Sequence, residues 1–221
     1  AVEQGRTVYA NIKKVVSWTL PTNAGEALTI IVALLAGLPY PITPVQILWV
    51  NMITAVTLGM ALAFEPTDAA TMKKPPRPRG QALIQPALVW QIMLVGTLFF
   101  LAVFGIYHYA IKAGHDVEYA RTLAMNMLVG LEIFYLFFVR TMNLRSISLT
   151  GVKGTKVVWS AVCVVVVAQL AISYIPVLQT VFGTQSPTLI DNLVIVLTGL
   201  ALLLLLEIEK VVRLTLYQRK H

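Results

Sequence analysis

Residues 19–26 of the chain read Thr19-Leu20-Pro21-Thr22-Asn23-Ala24-Gly25-Glu26. This stretch puts an acid, a carboxamide and a helix breaker into a segment that is otherwise apolar enough to enter a lipid bilayer. Asn23 and Glu26 are three residues apart, so a helix presents them on one face. An acid in a membrane span is costly, and by default it faces the interior of a bundle or a water-filled path. The stretch therefore indicates an ion or proton site, and the alternative is a protonated Glu26 that caps a neighbouring backbone.

Pro21 adds a second reason to place a site here. It has no backbone N–H and clashes with the preceding turn, so it frees carbonyl groups just before Asn23 and Glu26. At membrane depth, such loosened backbone is tolerated where it is buried in protein or lines a cavity. This end of the segment is therefore expected to face the inside of the bundle.

The composition excludes an ordinary soluble domain. The chain of 221 residues is 57% hydrophobic and 12% charged, whereas about a quarter of the residues of a soluble domain are charged. The net charge of +7 is scattered between apolar stretches and forms no basic stripe with interleaved aromatic residues, which argues against a nucleic-acid partner. The expected partner is the lipid bilayer.

The apolar stretches predict an all-α membrane protein that forms a six-helix transmembrane bundle. Spans of about 20 apolar residues are typical of transmembrane helices. Their expected limits are 15–38, 42–64, 87–112, 122–140, 157–180 and 190–206. The fold is therefore a set of antiparallel helices joined by links of different lengths.

The distribution of basic residues predicts the orientation of this bundle. All but two of the 17 Lys and Arg residues lie before the first span, in the links around 65–86 and 140–156, or after residue 206; the exceptions are Lys112 and Arg121. The positive-inside rule then places both termini in the cytoplasm. Near span ends, Trp18, Trp90 and Trp159 are expected to be interface anchors, and 207–213 is expected to be a solvated helix end.

Polar groups in three spans suit a cation. Asn51 and Thr54 share a face of the second span, and Glu132 is the other acid well inside a span. No Lys or Arg lies at that depth to neutralise the acids, and hard cations prefer carboxylate, carboxamide and hydroxyl oxygens. The residues expected to meet around a cation at mid-membrane are Asn23, Glu26, Asn51, Thr54 and Glu132. By contrast, Asn126, Gln169 and Ser173 are interpreted as packing contacts between helices.

Four stretches carry a resemblance to a known family. They are Ala1-Val2-Glu3-Gln4-Gly5-Arg6, Asn23-Ala24-Gly25-Glu26, Leu48-Trp49-Val50-Asn51-Met52-Ile53-Thr54 and Phe64-Glu65-Pro66-Thr67-Asp68. Together they resemble the carboxy-terminal half of P-type cation-transporting ATPases, in the branch of the calcium, sodium and proton pumps, and the likeness runs the whole length of the chain. The resemblance implies that the chain transports a cation as part of a pump.

The same resemblance implies a set of ligands and leaves the ion open. The ligand positions of the family fall on Asn23, Glu26, Asn51, Thr54 and Glu132. Calcium and sodium pumps of this branch carry an Asp directly after the Thr, where this chain has Ala55. Loss of that carboxylate makes a two-calcium site doubtful. Calcium, another divalent ion, a monovalent ion and a proton-coupled variant are all open.

The resemblance also implies a division of the chain and a dependence on further domains. Residues 1–14 would lead in from a phosphorylation domain, 15–64 would form the cation-site hairpin, 65–86 a basic Pro-rich cytoplasmic loop, 87–206 a four-helix bundle and 207–221 a tail. Catalytic residues are expected to be absent from this chain, and ATP and magnesium would bind only in absent domains. Its partners would then be the remaining helices and cytoplasmic domains of the pump.

Two other classes of protein predict different sequence features. An independent channel or secondary transporter would predict an internal repeat, and the paired polar residues of the first three spans have no counterpart in the last three. A purely structural membrane partner would predict that the intramembrane acids can be replaced without loss. Short links and the lack of a targeting sequence favour a multi-pass protein of a prokaryotic plasma membrane.

Overall fold

A computed structural model describes residues 2–66, 85–141 and 155–220, without the side chains of Thr141 and 216–220. Within these ranges the protein is helical and contains no strand. The helices are α1 (Val2–Leu35), α2 (Pro44–Thr54), α3 (Met60–Ala63), α4 (Pro86–Lys112), α5 (Val117–Thr141), α6 (Lys156–Tyr174), α7 (Pro176–Phe182) and α8 (Leu189–Lys220). A π-helical turn, Ala55–Gly59, joins α2 to α3, so that these three elements form one span.

The prediction of six membrane helices is confirmed. Six helices of the described chain are long and apolar enough to cross a membrane. Large apolar side chains such as Leu35, Leu48 and Leu189 are exposed on the outside of the bundle, as expected where lipid replaces water as the solvent. The protein is therefore an integral membrane protein with several spans.

The largest differences between the predicted spans and the observed helices are in the first, fifth and sixth spans. The first helix begins at Val2 and the last continues to Lys220, because hydropathy marks the depth of the lipid and does not mark where helical hydrogen bonding stops. The predicted span 157–180 is broken between α6 and α7. Pro176 cannot donate to the preceding turn and disfavours a helical conformation for Ile175, whose backbone is extended.

Side-chain contacts fix which ends of the helices lie together. At one end, the Asn11 carboxamide donates to the carbonyl oxygens of Ala63 and Glu65 at 3.0 and 2.8 Å. At the other end, the Gln46 carboxamide donates to the carbonyl oxygen of Phe182 at 3.0 Å, and Arg121 Nε donates to that of Tyr40 at 3.0 Å. Successive spans therefore run in opposite directions.

Helix α5 is the central element of the bundle. In its most apolar stretch, 83% of the residues are buried, whereas the corresponding values for the other five spans lie between 22 and 39%. Helix α5 packs against α1, α2, α4, α6 and α8. Glu132 lies on this helix and is itself buried.

Small residues allow α1 and α4 to approach closely. A Cβ atom at Gly25 would lie 2.5 Å from the Cβ of Phe99, and one at Gly96 would lie 3.2 Å from the Cβ of Ala24. Close approach at small residues is a common way to pack membrane helices. The glycine beside Glu26 is thus required by the crossing of two helices.

Two expectations about individual side chains were wrong. Trp18 is 3% exposed and is not an interface anchor, because α1 begins at Val2 and this residue lies in its middle. The segment 207–213 is not simply solvated, since Lys210 is fully buried, pairs with Glu207 at 2.6 Å and lies over the ring of Phe138. The rotation of α8 against α5 decides this burial.

The predicted basic loop 65–86 lies largely outside the described residues, which resume at Gln85. Glu65, at the start of that link, is described. It is 7% exposed and forms ion pairs with Lys14 of α1 and Arg140 of α5. One acid therefore ties the end of the second span to two other helices, a contact that was not predicted from the sequence.

Candidate cation site

The acid in the first span lies on the buried face of α1. Glu26 is 7% exposed and follows Thr22 by one helical turn, and both side chains face the bundle. Asn23 does not share this environment, because its side chain is exposed. The prediction that Asn23 and Glu26 share one face was wrong. A step of three residues rotates a side chain by about 300° on a helix with 3.6 residues per turn, so the side chains of Asn23 and Glu26 point roughly 60° apart. In this bundle, that angle separates a buried from an exposed position.

Asn51 of α2 contacts this acid directly. Its Nδ2 atom donates to Oε2 of Glu26 at 2.8 Å and to the carbonyl oxygen of Ile47 at 3.2 Å. The two donors of the carboxamide are therefore engaged, and its acceptor oxygen is the group left to serve a ligand. The hydrogen bond joins the first two membrane spans at the position of the acid.

The second acid comes from the central helix. Glu132 of α5 is 1% exposed and lies near both Thr54 and Glu26. The Thr54 hydroxyl donates to the backbone oxygen of Val50 at 2.9 Å, so its oxygen can still accept or bind a ligand. The structure thus brings together Glu26, Asn51, Thr54 and Glu132 from three membrane spans. Only Asn23 of the expected set faces away from this cluster.

Each acid of the cluster has an oxygen without a donor. In the described part of the chain, Glu26 Oε1 and Glu132 Oε2 are buried and have no hydrogen-bond partner. Neither Glu26 nor Glu132 takes part in an ion pair within the described part of the chain. A buried carboxylate oxygen without a donor or counter-charge is costly. The arrangement therefore has the chemistry of a site for a positive guest, either a metal cation or protons.

The donor set is mixed. Within residues 2–66, 85–141 and 155–220, no three His, Cys, Asp or Glu side chains come close enough to hold a metal ion by themselves. Two carboxylates, a carboxamide oxygen and a hydroxyl are available, and these are ligand types of hard cations. A soft-metal or zinc centre does not fit this set.

The backbone of the second span is irregular at this depth. Ala55, which directly follows Thr54, begins the π-helical turn Ala55–Gly59, and its side chain is exposed. Single π-helical turns are rare and occur frequently at functional sites. The position at which the resemblance expects an Asp is therefore the first residue of a distorted turn.

Two clefts differ in their relation to this cluster. One of about 540 Å³ is lined by Ile30, Tyr40, Ile42, Pro44, Ile47, Leu48 and Asn51, and connects the turn between the first two spans with the cluster. A larger cleft of about 900 Å³ lies between α5, α6 and α8. Its lining is almost wholly apolar and includes none of Glu26, Asn51, Thr54 and Glu132, whereas Asn51 lines the smaller cleft, so we assign the chemistry to the smaller cleft.

Several residues around the site were not anticipated. Trp18 Nε1 donates to the backbone oxygen of Glu132 at 3.2 Å, and the Tyr135 hydroxyl donates to the backbone oxygen of Ser17 at 2.8 Å. The sequence held one signal for the second contact, since Pro21 leaves the carbonyl of residue 17 without its helical donor. The identity of the donor depends on how α5 is placed.

Comparisons with known proteins show which proteins the chain is similar to. The family described as "Cation transporting ATPase, C-terminus" matches residues 39–212. The probable cation-transporting ATPase F of Mycobacterium tuberculosis is 42% identical over 184 residues, which cover 83% of this chain and 20% of that protein.

Two further relatives are named as calcium transporters. The calcium-transporting ATPase of Bacillus subtilis is 31% identical over 192 residues, or 85% of this chain and 21% of that protein. The calcium-transporting ATPase type 2C member 2 of Mus musculus is 30% identical over 202 residues, or 91% of this chain and 21% of that protein. The chain thus spans about a fifth of the length of the relatives it matches.

Proposed function

We propose that this chain carries the intramembrane ligands of the transported cation, because it belongs to the P-type cation-transporting ATPases and forms a carboxy-terminal membrane portion of such a pump. The observation behind this proposal is the contact of the Asn51 carboxamide with the Glu26 carboxylate, beside a second buried acid, Glu132. Both acids have an oxygen with no partner in the described chain. A bound cation satisfies both.

The ligand set of the proposal consists of Glu26, Asn51, Thr54 and Glu132, with Asn23 as a further ligand. Asn23 is exposed, and the chain spans only about a fifth of the length of its relatives. Exposed polar positions of this kind are available to helices from the rest of the pump. Asn23 would complete the cation's coordination from the side that those helices cover.

The transported ion is a hard cation, and calcium is the first candidate. Carboxylate, carboxamide and hydroxyl oxygens suit calcium, and two of the relatives are named as calcium-transporting. Ala55 offers no carboxylate, so two acids supply the charge of the site. This charge balances one divalent cation, and we propose one such ion for each transport cycle.

The remaining parts of the pump supply the energy. We assign ATP and magnesium to domains outside this chain, which would phosphorylate an acid there and move the membrane helices. The positive-inside distribution of Lys and Arg supports cytoplasmic termini. The similarity to mycobacterial and Bacillus proteins supports a prokaryotic plasma membrane.

The test is cation-stimulated ATPase activity of the complete pump in lipid vesicles, screened over Ca²⁺, Mn²⁺, Mg²⁺, Na⁺ and K⁺. Glu26→Gln should abolish the response to the stimulating cation. Glu118→Gln, which replaces an exposed acid of α5, is the matched control and should leave the response intact. A flat response of the wild type to every ion, or an unaltered response of Glu26→Gln, would contradict the proposal. Cation flux without ATP would instead indicate a channel.

A further inference from the structure

Pro21 creates a defect in α1 that must be compensated. It lies inside a continuous helix of 34 residues and has no N–H for the carbonyl oxygen four residues earlier, which belongs to Ser17. Ser17 is 1% exposed. Since no water is present in the bilayer core to satisfy a free carbonyl, the freed group has to find a donor in a neighbouring helix.

That donor is the hydroxyl of Tyr135 on α5. It lies 2.8 Å from the Ser17 carbonyl oxygen and donates to it. The same hydroxyl accepts a hydrogen bond from Nε2 of Gln91 on α4, also at 2.8 Å. A chain of two hydrogen bonds therefore runs from α4 through α5 to the point in α1 where the helical bond is missing.

Aromatic packing fixes the direction of the Tyr135 hydroxyl. Tyr135 is fully buried. Its ring meets Phe99 edge-on, with centroids 6.0 Å apart, and stacks on Phe138 at 5.9 Å. Phe99 in turn packs against Gly25 of α1. The ring is thus held by two helices, so little side-chain freedom remains to be lost when the hydroxyl bonds to Ser17.

The compensated defect lies beside the two acids. Tyr135 follows Glu132 by three residues, so the two side chains leave α5 in directions about 60° apart, and both are buried. Trp18, the residue after Ser17, donates from Nε1 to the backbone oxygen of Glu132 at 3.2 Å. Two hydrogen bonds therefore join the segment of α1 before Pro21 to the turn of α5 that carries Glu132.

We propose that Tyr135 is a positioning residue whose hydroxyl replaces the donor that Pro21 lacks, and thereby fixes α1 against α5 so that Glu26 and Glu132 face each other. The consequence for cation affinity rests on the proposed function, whereas the coupling between Tyr135 and Pro21 does not. If Tyr135 acted only by filling space, its ring would suffice and phenylalanine would replace it without effect.

A double-mutant cycle in the complete pump tests this proposal. Tyr135→Phe removes the hydroxyl, and Pro21→Ala restores the helical N–H donor to Ser17. We expect Tyr135→Phe to raise the cation concentration for half-maximal ATPase stimulation by roughly 5- to 30-fold, the factor that corresponds to the free energy of one buried hydrogen bond. The maximal rate should be retained. In the Pro21→Ala background, the same change should have a much smaller effect.

The cycle separates this coupling from the other contact of Tyr135. The donor of Gln91 loses its acceptor in both backgrounds, so its contribution cancels in the interaction energy. Tyr107 is a second buried tyrosine and lies on α4. Tyr107→Phe is the matched control and should not change the cation concentration for half-maximal stimulation. Equal shifts for Tyr135→Phe in both backgrounds, or no shift in either, would overturn the proposal.

Failure of the proposed function would give a different result. If the wild type shows no cation response, or Glu26→Gln keeps it, the ligand assignment fails, and the thermal midpoints of the four proteins of the cycle still report the coupling. Should Pro21→Ala not accumulate in membranes, Gln91→Leu replaces it in the comparison. That variant keeps the bond from Tyr135 to Ser17, so it must shift the response less than Tyr135→Phe; an equal or larger shift would overturn the proposal.

Discussion

Asn51 Nδ2 lies 2.8 Å from Glu26 Oε2, and this hydrogen bond is the direct polar link between the first two membrane spans at the depth of the buried acids. The bond uses a donor of the carboxamide and one oxygen of the carboxylate. It leaves Oε1 of Glu26 buried without a partner in the described chain. The link therefore orients the acid and leaves a free oxygen for a ligand.

Replacement of Glu132 should raise the stability of the cation-free pump and remove its stabilisation by the cation. Glu132→Gln removes a buried acid that has an oxygen without a donor, so the cation-free pump should gain about 1 to 3 kcal/mol in stability. We expect a higher thermal midpoint in detergent with chelator present, and no further rise on addition of the stimulating cation. A lower midpoint without cation would show that Glu132 is satisfied in some other way.

An additional acid beside Glu26 should make the stability of the pump depend more strongly on a bound cation. Asn51→Asp replaces a donor by a second carboxylate next to Glu26, so like charges repel in the cation-free pump. A ligand that binds the native state stabilises it by mass action. The rise in thermal midpoint between chelator and saturating Ca²⁺ should therefore exceed that of the wild type.

The control for this prediction is the same substitution away from the acids. Asn192 of α8 donates to the hydroxyl of Tyr174 at 2.8 Å, and Asn192→Asp should leave the size of the Ca²⁺ effect unchanged. If Asn51→Asp shows a Ca²⁺ effect no larger than that of the wild type, Asn51 does not border the cation site.

The close crossing of α1 and α4 predicts a cost for added volume. Gly25→Ala would place a Cβ atom 2.5 Å from the Cβ of Phe99, so the two helices must separate, at a cost of about 1 to 3 kcal/mol in the free energy of unfolding. Gly5→Ala, in the same helix, meets no atom within 4 Å and should stabilise by about 1 kcal/mol. Thermal midpoints in detergent distinguish the two substitutions, and equal effects would contradict the observed crossing.

The buried ion pairs of Glu65 predict a second stability effect. Glu65 pairs with Lys14 and Arg140, and all three side chains are largely buried. Glu65→Gln leaves two cations without their counter-charge and should cost about 3 kcal/mol. Glu3→Gln, at an exposed acid of α1, is the control and should change stability little. A thermal midpoint for Glu65→Gln equal to the control's would show that the ion pairs contribute nothing.

Much of the architecture could be predicted because it depends on local properties. A run of about 20 apolar residues specifies a membrane helix wherever it is packed, and the six predicted spans are all present. The ends were less predictable. Helical hydrogen bonding continues into charged residues at 2–14 and after Leu206, and it stops at Pro176 inside an apolar run.

The candidate site could be predicted in part. The spacing of polar groups within each span indicated which acids, carboxamides and hydroxyls are available. It did not determine how each helix is rotated, and rotation decides that Glu26 is buried while Asn23 is exposed. It also decides that Trp18 bonds to Glu132 instead of anchoring the interface.

The sequence by itself determined the class of protein, the number of spans and the presence of two acids with no basic residue at their depth, because these follow from the chemistry of single segments. Only the tertiary structure decided which groups meet. Ser17 and Tyr135 are 118 residues apart in the chain and 2.8 Å apart in the bundle. The defect made by Pro21 is a property of α1 alone, whereas its compensation depends on the packing of α1, α4 and α5 against one another.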